Sequence, residues 1–507
     1  MSKVNSAQWL LLVAVFVIAT CGLIYELVAG TLASYVLGDS ITQFSTIIGG
    51  YLFSMGVGSF LSKYFEENLL EWFIRIELLV GLVGGFSSAI LFVTFPIASS
   101  FRIILYSLVF LTGTLVGLEI PLLLRILKDK VQFKDLVSRV FTFDYIGALL
   151  ASIVFPLLLV PYLGLIRTSL FFGMLNIGVG WWLLRRFRTE IDGPWRLQLM
   201  AILFLIAEAV AFGFSNRLMN FSENMVFNEP VIYSASSPYQ RIVITRTKHD
   251  LRLYLNGNLQ FSSADEYRYH EALVHPAMLA SHSPKDILVM GGGDGLAVRE
   301  ILKYPSVRSI TLVDLDANMT RLFSTQPILR EINHNSFHDP RVKIYNADAF
   351  VWLRENHRVF DCAIIDFPDP SNFSVGKLYT SSFYQLVKRA LSPQGMAVIQ
   401  STSPFAAPKS FWCVNETLKA VGFHTIPYHN YVPSFGEWGY TMASLQPGYQ
   451  VPDSFPAGMR YINKEVLEQM LNFPADMQAH VPLNINRLDN QSLVDYFEQE
   501  WGRFLEQ

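Results

Sequence analysis

Asp286-Ile287-Leu288-Val289-Met290-Gly291-Gly292-Gly293-Asp294-Gly295, running on into the helical pattern of Ala297 to Lys303, decides the fold of the C-terminal half. The apolar run Ile287 to Met290 has the length and composition of a buried strand, and it feeds a glycine turn and then a helix. Glycine is required where a ligand must approach the backbone at a helix N-terminus. Strand, turn and helix together predict a nucleotide-binding βα unit. The glycine spacing alone does not say which nucleotide, because dinucleotide sites share it.

Three further strand ends narrow the ligand. Ser309 to Val313 ends in Asp314-Leu315-Asp316, at the distance along the chain where an acid meets ribose hydroxyls. Val342 to Tyr345 leads into Asn346-Ala347-Asp348-Ala349, where an acid can meet an adenine amino group. Phe360 to Ile365 ends in Asp366-Phe367-Pro368-Asp369-Pro370, two carboxylates in a proline-stiffened loop at the edge where open α/β sheets bind ligands. The set describes an adenosine pocket with no pyrophosphate site, which disfavours a nicotinamide dinucleotide and fits an S-adenosyl sulfonium compound. Upstream, Arg241 to Thr245 and Leu251 to Phe261 alternate in strand fashion around the turn residues Asn256-Gly257-Asn258 and predict a small β unit.

Towards the N-terminus the character changes. A chain of 507 residues exceeds one core, and residues 8–214 are mostly apolar with charges confined to short gaps. Apolar segments fall near 8–29, 41–61, 72–97, 101–126, 139–160, 163–185 and 196–214, each close to the roughly 20 residues that span a bilayer. The first is too long for a signal-peptide core and has no small-residue cleavage site, so a retained helix is expected. The most basic gaps hold Arg125, Lys128, Lys130, Lys134 and Arg139, and Arg185, Arg186, Arg188 and Arg196, with Lys63 and Arg75 in agreement. The positive-inside rule puts these gaps in the cytoplasm. Seven spans would then leave the C-terminal half outside. Glu208 makes 196–214 the weakest span, and it is expected to lie in the interface or to re-enter. Glu26, Glu77, Glu119 and Asp144 are read as lying near helix ends or pairing with Arg75 or Arg102, or else as facing a cation path for polyamines.

The predicted organisation is a polytopic α-helical membrane bundle at 1–215, a small β domain at 226–283, a Rossmann-like AdoMet-type α/β domain at 284–445, and a tail at 446–507 with helical runs near 463–472 and 491–505. With 39 basic and 42 acidic residues there is no global field for nucleic acid. Cys21, Cys362 and Cys413 have neither CxxC nor metal-ligand spacing, so neither a disulfide framework nor a metal site is expected, and a reducing compartment fits.

Tyr239-Gln240, the run Asp265 to Glu271, the glycine loop with Arg299 to Val307 after it, and the Asp-x-x-Asp-Pro loop occur in one order over about 230–445, and this stretch resembles the spermidine synthase family. The helical N-terminus resembles the membrane-fused branch of that family. The resemblance implies transfer of the aminopropyl group of decarboxylated S-adenosylmethionine to a diamine, putrescine being expected, with no permanently bound cofactor. It also implies a homodimer or homotetramer, and the lipid bilayer as a further partner. By the same resemblance Gln240, Gly291, Gly293, Asp294, Asp314, Asp348 and Ala349 hold the donor. Tyr269, His270 and Asp369 face the amine, and Asp366 is the base. A base is needed because amines are cationic at neutral pH and a protonated nitrogen cannot attack.

Two departures fall on the acceptor side. Pro433-Ser434-Phe435-Gly436 replaces the family's Pro-x-Tyr-Pro, and Pro370-Ser371-Asn372-Phe373 replaces a glycine-proline continuation. A methyltransferase on the same sheet and a membrane transporter or sensor that binds polyamine without turnover are the alternatives. The donor's compartment implies a cell-membrane protein whose catalytic domain faces the cytoplasm.

Overall fold

The computed structural model describes residues 6–37, 40–98, 100–128, 133–227, 229–281 and 283–505. Lys130 of the basic gap, and residues 1–5 and 506–507 of the predicted end domains, lie outside the described residues. The chain divides into two compact units, Met1–Val231 and Ile232–Gln507.

The first unit is helical: α1 (Ser6–Leu37), α2 (Ser40–Leu61), α3 (Leu69–Thr94), α4 (Phe101–Leu127), α5 (Phe133–Val154), α6 (Val160–Arg186) and α7 (Pro194–Phe227). Six helical stretches are long and apolar enough to cross a membrane, and one of them, Lys134–Arg186, is 53 residues long. That is about twice the length a bilayer needs, and the chain folds back within it. Thr20 Oγ1 donates to the Gly147 carbonyl at 3.3 Å while the adjacent Cys21 Sγ donates to the Phe172 carbonyl at 3.6 Å. A straight helix would hold residues 147 and 172 about 37 Å apart. Gly164, at φ 74° and ψ 173°, supplies the non-helical backbone between the two arms.

The segment 196–214, expected to lie in the interface or to re-enter, falls within α7. Its apolar part, Pro194–Met219, is 26 residues long. Glu208 is fully buried, its carboxylate lodged where a Cβ on Gly85 of α3 or Gly173 of α6 would collide with it. An inward carboxylate lets the outer face of the helix stay apolar. The helix also continues to Phe227, past the boundary predicted at residue 215. Arg75 pairs with Glu71 one turn away and not with an interior carboxylate.

The second unit opens with a four-stranded sheet in the order β1 (Val231–Ser236), β2 (Arg241–Arg246), β3 (Leu251–Leu255) and β4 (Asn258–Ser262). Asn256 and Gly257 both take positive φ, 51° and 83°, which is the turn chemistry that a tight hairpin demands. After α8 (Glu266–Ala280) come β5 (Asp286–Gly291), α9 (Leu296–Ile301), β6 (Ser309–Asp314), α10 (Ala317–Thr325), α11 (Pro327–Ile332), β7 (Val342–Asn346) and α12 (Ala349–Glu355). Then follow β8 (Phe360–Asp366), α13 (Phe373–Gly376), α14 (Ser381–Ala390), β9 (Leu391–Gln400), α15 (Pro408–Ala420), β10 (His424–Val432) and β11 (Gly436–Ser444).

These strands form one sheet in the order β10-β11-β9-β8-β5-β6-β7. The pairs β5/β6, β6/β7, β5/β8 and β8/β9 are parallel, and β11 runs antiparallel to β9 and β10. Ile287, Leu288, Val289 and Met290 are fully buried, as are Ile364 and Ile365, because helices cover both faces of a parallel sheet. Each such side chain contributes about 1.5–3 kcal/mol by leaving water. The chain leaves β5 towards β6 and β7 and returns to β8 on the other side, so the order reverses between β5 and β8. A crevice opens at such a point, and ligands bind there.

The C-terminal stretch forms α16 (Lys464–Met470) and α17 (Ser492–Leu505), close to the predicted runs. It is bound to the α/β core. The Glu500 carboxylate accepts from the Lys409 and Ser410 N–H groups at the start of α15, at 3.0 and 3.1 Å. The buried Glu271 of α8 accepts from the N–H groups of Arg460, Tyr461 and Ile462.

Candidate active site

The site is built where β5 and β8 pair. Gly291 stands in register with Asp366, at φ 78°, and a Cβ there would collide with the Asp366 carbonyl. Only glycine allows the two strand ends to stay this close while the backbone turns. Gly293 plays a comparable part towards β6: an added Cβ would lie 2.7 Å from Asp314 Oδ2.

Asp366, at the end of β8, accepts a hydrogen bond from the Tyr269 phenol at 2.6 Å through Oδ1. Burial, opposed by the positive charge of His270, pushes its carboxyl up to about 6. The loop beyond is held by Gln400 at the end of β9, whose Nε2 donates to the Phe367 carbonyl at 2.9 Å and to Asp369 Oδ1 at 3.0 Å. The Tyr379 hydroxyl donates to the Pro368 carbonyl at 3.0 Å. Burial likewise raises Asp369 to about 6, with Gln400 and Thr402 opposing it. Two carboxylates are thus fixed in one loop, each poised to change charge near neutral pH.

Tyr269 stands on α8 among aromatic rings. Phe435 meets it edge-on at 6.1 Å, Tyr440 lies at 5.6 Å, and Trp438 lies 5.2 Å from Phe435. The hydroxyl absent at Phe435 is therefore replaced by an apolar, π-rich wall. His270, beside Tyr269, is buried, and its Nδ1 is 2.8 Å from Glu266 Oε2. Burial disfavours its charged form, yet Glu266, Asp294 and Asp366 outweigh that and raise it to about 9. Glu266 is gripped in turn by both terminal nitrogens of Arg299, each at 2.8 Å. His270 is thus an internal imidazolium facing the aspartates, with its Nδ1 committed to Glu266.

On the other side of the turn, Asp294 Oδ1 accepts from the Leu296 N–H at 2.9 Å, and burial raises its carboxyl. Asp314 Oδ1 accepts from the Asp316 N–H at 2.8 Å, and burial lifts it to about 7. Gln240 Nε2 donates to Asp316 Oδ2 at 2.9 Å, and Ser237 Oγ donates to the same oxygen at 2.6 Å. The turn before β2 is thereby tied to the end of β6.

Asp348, expected near the adenine base, caps a helix and pairs with a lysine. Its Oδ1 accepts from the Phe350 and Val351 N–H groups at the start of α12, and its Oδ2 pairs with Lys377 Nζ at 2.5 Å. Partial burial raises its carboxyl, but these contacts outweigh burial and hold it below the usual range. Ala349, the first residue of α12, is buried.

Three residues escaped the sequence reading of the site: Gln400, Asp316 and Arg299. Gln400 had a signal, since it ends a strand at the edge that carries Asp366. Asp316 stood beside Asp314 but was given no role. Arg299 lies in a quoted motif, and only the fold turns it towards Glu266.

Residues 266–452 match the family model of the spermine/spermidine synthase domain. A polyamine aminopropyltransferase of Leptospira interrogans is 53% identical over 502 residues, covering 98% of this chain and 100% of the relative. Polyamine aminopropyltransferase 1 of Ralstonia nicotianae is 52% identical over 508 residues, covering 98% and 96%. A solved spermidine synthase in complex with the transition-state analogue AdoDATO is 28% identical, with a TM-score of 0.46 over 54% of this chain and 89% of that one. The two curated relatives and the family match set aside the methyl-transfer and non-catalytic readings of the C-terminal unit. With near-complete coverage at more than half identity, the chain belongs to the spermine/spermidine synthase family and is an aminopropyltransferase.

Proposed function

We propose that the enzyme moves the aminopropyl group of decarboxylated S-adenosylmethionine to a primary amine of a diamine, with putrescine as the expected acceptor. The observation that carries this is the Tyr269–Asp366 hydrogen bond at the β5/β8 switch point. The amine arrives as a cation and gives one proton to Asp366. The freed nitrogen attacks the carbon next to the sulfonium, the C–N bond forms, the C–S bond breaks, and its electron pair leaves on methylthioadenosine. Asp369 anchors the distal ammonium, and the wall of Tyr269, Phe435 and Trp438 favours a cation over its faces. Asp314 holds the donor's ribose, and Asp294, Gln240 and the glycine turn hold the rest of the nucleoside side. His270 keeps a fixed positive charge behind the carboxylates. Release of methylthioadenosine from the donor on addition of a diamine tests this reading. No release with any diamine would end it.

The same reading makes the first unit a multi-pass anchor in the cell membrane, supported by the length and apolarity of its helices. The catalytic unit then faces the cytoplasm, where its donor is made. A specific observation favours the opposite side. Lys63, Lys128 and Arg188 mark the ends joining α2 to α3, α4 to α5 and α6 to α7, and if those ends are cytoplasmic an α7 that crosses carries the chain outside. A reporter fused to the C-terminus separates the two. Fluorescence of a cytoplasm-dependent protein supports the first, and activity of a periplasm-dependent phosphatase supports the second.

A further inference from the structure

The helical unit has its own polar interior, which the transferase reaction does not use. Glu208 of α7 is fully buried between Gly85 of α3 and Gly173 of α6, and neither carboxylate oxygen has a hydrogen-bond partner. One turn along α6 from Gly173, the buried Asn176 donates to Glu77 Oε2 at 3.1 Å, while its own Oδ1 and Glu77 Oε1 are unpartnered. Tyr25 of α1 packs its ring on Gly84, beside the Glu208 level, and its buried hydroxyl is also unpartnered. Glu119 of α4 is buried with Oε1 unpartnered and lies within electrostatic reach of Glu77. Among the described residues, no lysine, arginine or histidine pairs with any of these carboxylates.

Such an arrangement is costly unless something neutralises it. An unpaired carboxylate in a low-dielectric interior must hold a proton or a cation, and ionisable groups inside a membrane bundle mark binding sites and pathways. The two glycines leave room for the Glu208 carboxylate where any side chain would fill it. We propose that this seam binds a linear polyamine: its carboxylates take the ammonium groups when the site is occupied and carry protons when it is closed.

The spread of these groups favours a polyamine over a single metal cation: Glu77, Glu119 and Glu208 come from three different helices, and among the described residues no cluster of three or more His, Cys, Asp or Glu side chains could hold a metal ion. The identity of the ligand rests on the aminopropyl-transfer reading, while the site itself stands on the buried groups.

The test uses the full-length chain in lipid nanodiscs, with labelled spermidine and no donor. In a D366N/D369N background, which silences the catalytic acceptor site, one equivalent of spermidine is expected to remain bound, and adding E208Q is expected to remove it. Spermidine should raise the melting temperature of the background protein but not of the E208Q form. If E208Q does not yield folded protein, E77Q and G173A, whose methyl would press on the Glu208 carboxylate, are measured in the same way. No spermidine bound in the background protein, or binding unchanged in these variants, overturns the proposal. Displacement of spermidine by sodium or potassium at equal concentration overturns the polyamine assignment. Methylthioadenosine release by the wild-type preparation is read separately, so failure of the transferase reading is not confused with failure of this one.

Discussion

The phenol of Tyr269 and the carboxylate of Asp366 meet at 2.6 Å, joining the helix that follows the small sheet to the strand end that faces the glycine turn. Asp366→Asn is expected to lower turnover by 10²-fold or more, within the usual range of about 10²–10⁴ for a lost general base, while donor affinity stays within a few-fold. Steady-state kinetics and calorimetry check the two halves of that statement.

The pH dependence follows from the same carboxyl. Asp366 is raised to about 6 by burial and must be unprotonated to accept a proton, so activity rises with pH through that value. Asp369, also raised to about 6, must be charged to hold an ammonium, which steepens the acid limb. The Tyr269 bond stabilises the charged form of Asp366. Tyr269→Phe should therefore shift the acid limb to higher pH as well as lowering kcat. An acid limb that stays in place would show that the phenol does not act on this group.

Asp314→Ala is expected to weaken donor binding by about 10- to 100-fold, the usual effect of losing a hydrogen bond to a charged group. Amine affinity should change little. Titration calorimetry with the donor reads the effect directly.

The strand-end acids, the glycine turn and the seven apolar segments could be read from the sequence because each depends on local pattern. Apolar runs of strand length, glycine at a turn and acids at the C-terminal edge are signals carried by a few neighbouring residues. The inward turn of Glu208 could not be read, because only the packing of α3 and α6 provides glycine on both sides of it. The pairing of Asp348 with Lys377 could not be read either, because the partner lies 29 residues along the chain. Residues 446–507 carried no chemical motif, and their role lies in contacts made at long range.

One of those contacts yields a further prediction. Trp501 Nε1 donates to Thr402 Oγ1 at 3.3 Å, the Thr402 N–H donates to Gln400 Oε1 at 2.7 Å, and Gln400 holds Asp369. Thr402 sits at φ 61°, a backbone that needs support from its surroundings. Trp501→Ala is expected to raise KM for the amine by several-fold while leaving donor affinity intact, and Gln400→Ala to do so more strongly. An equal loss for donor and amine would mark a general loss of fold.

The central claim is tested most directly by mixing purified full-length protein with decarboxylated S-adenosylmethionine and a panel of diamines, and measuring methylthioadenosine and the elongated amine together. The account predicts that both form in equal amounts with at least one diamine, and that Asp366→Asn abolishes both. Near-normal product formation by that variant, or no product from the wild-type protein with any diamine, would contradict it.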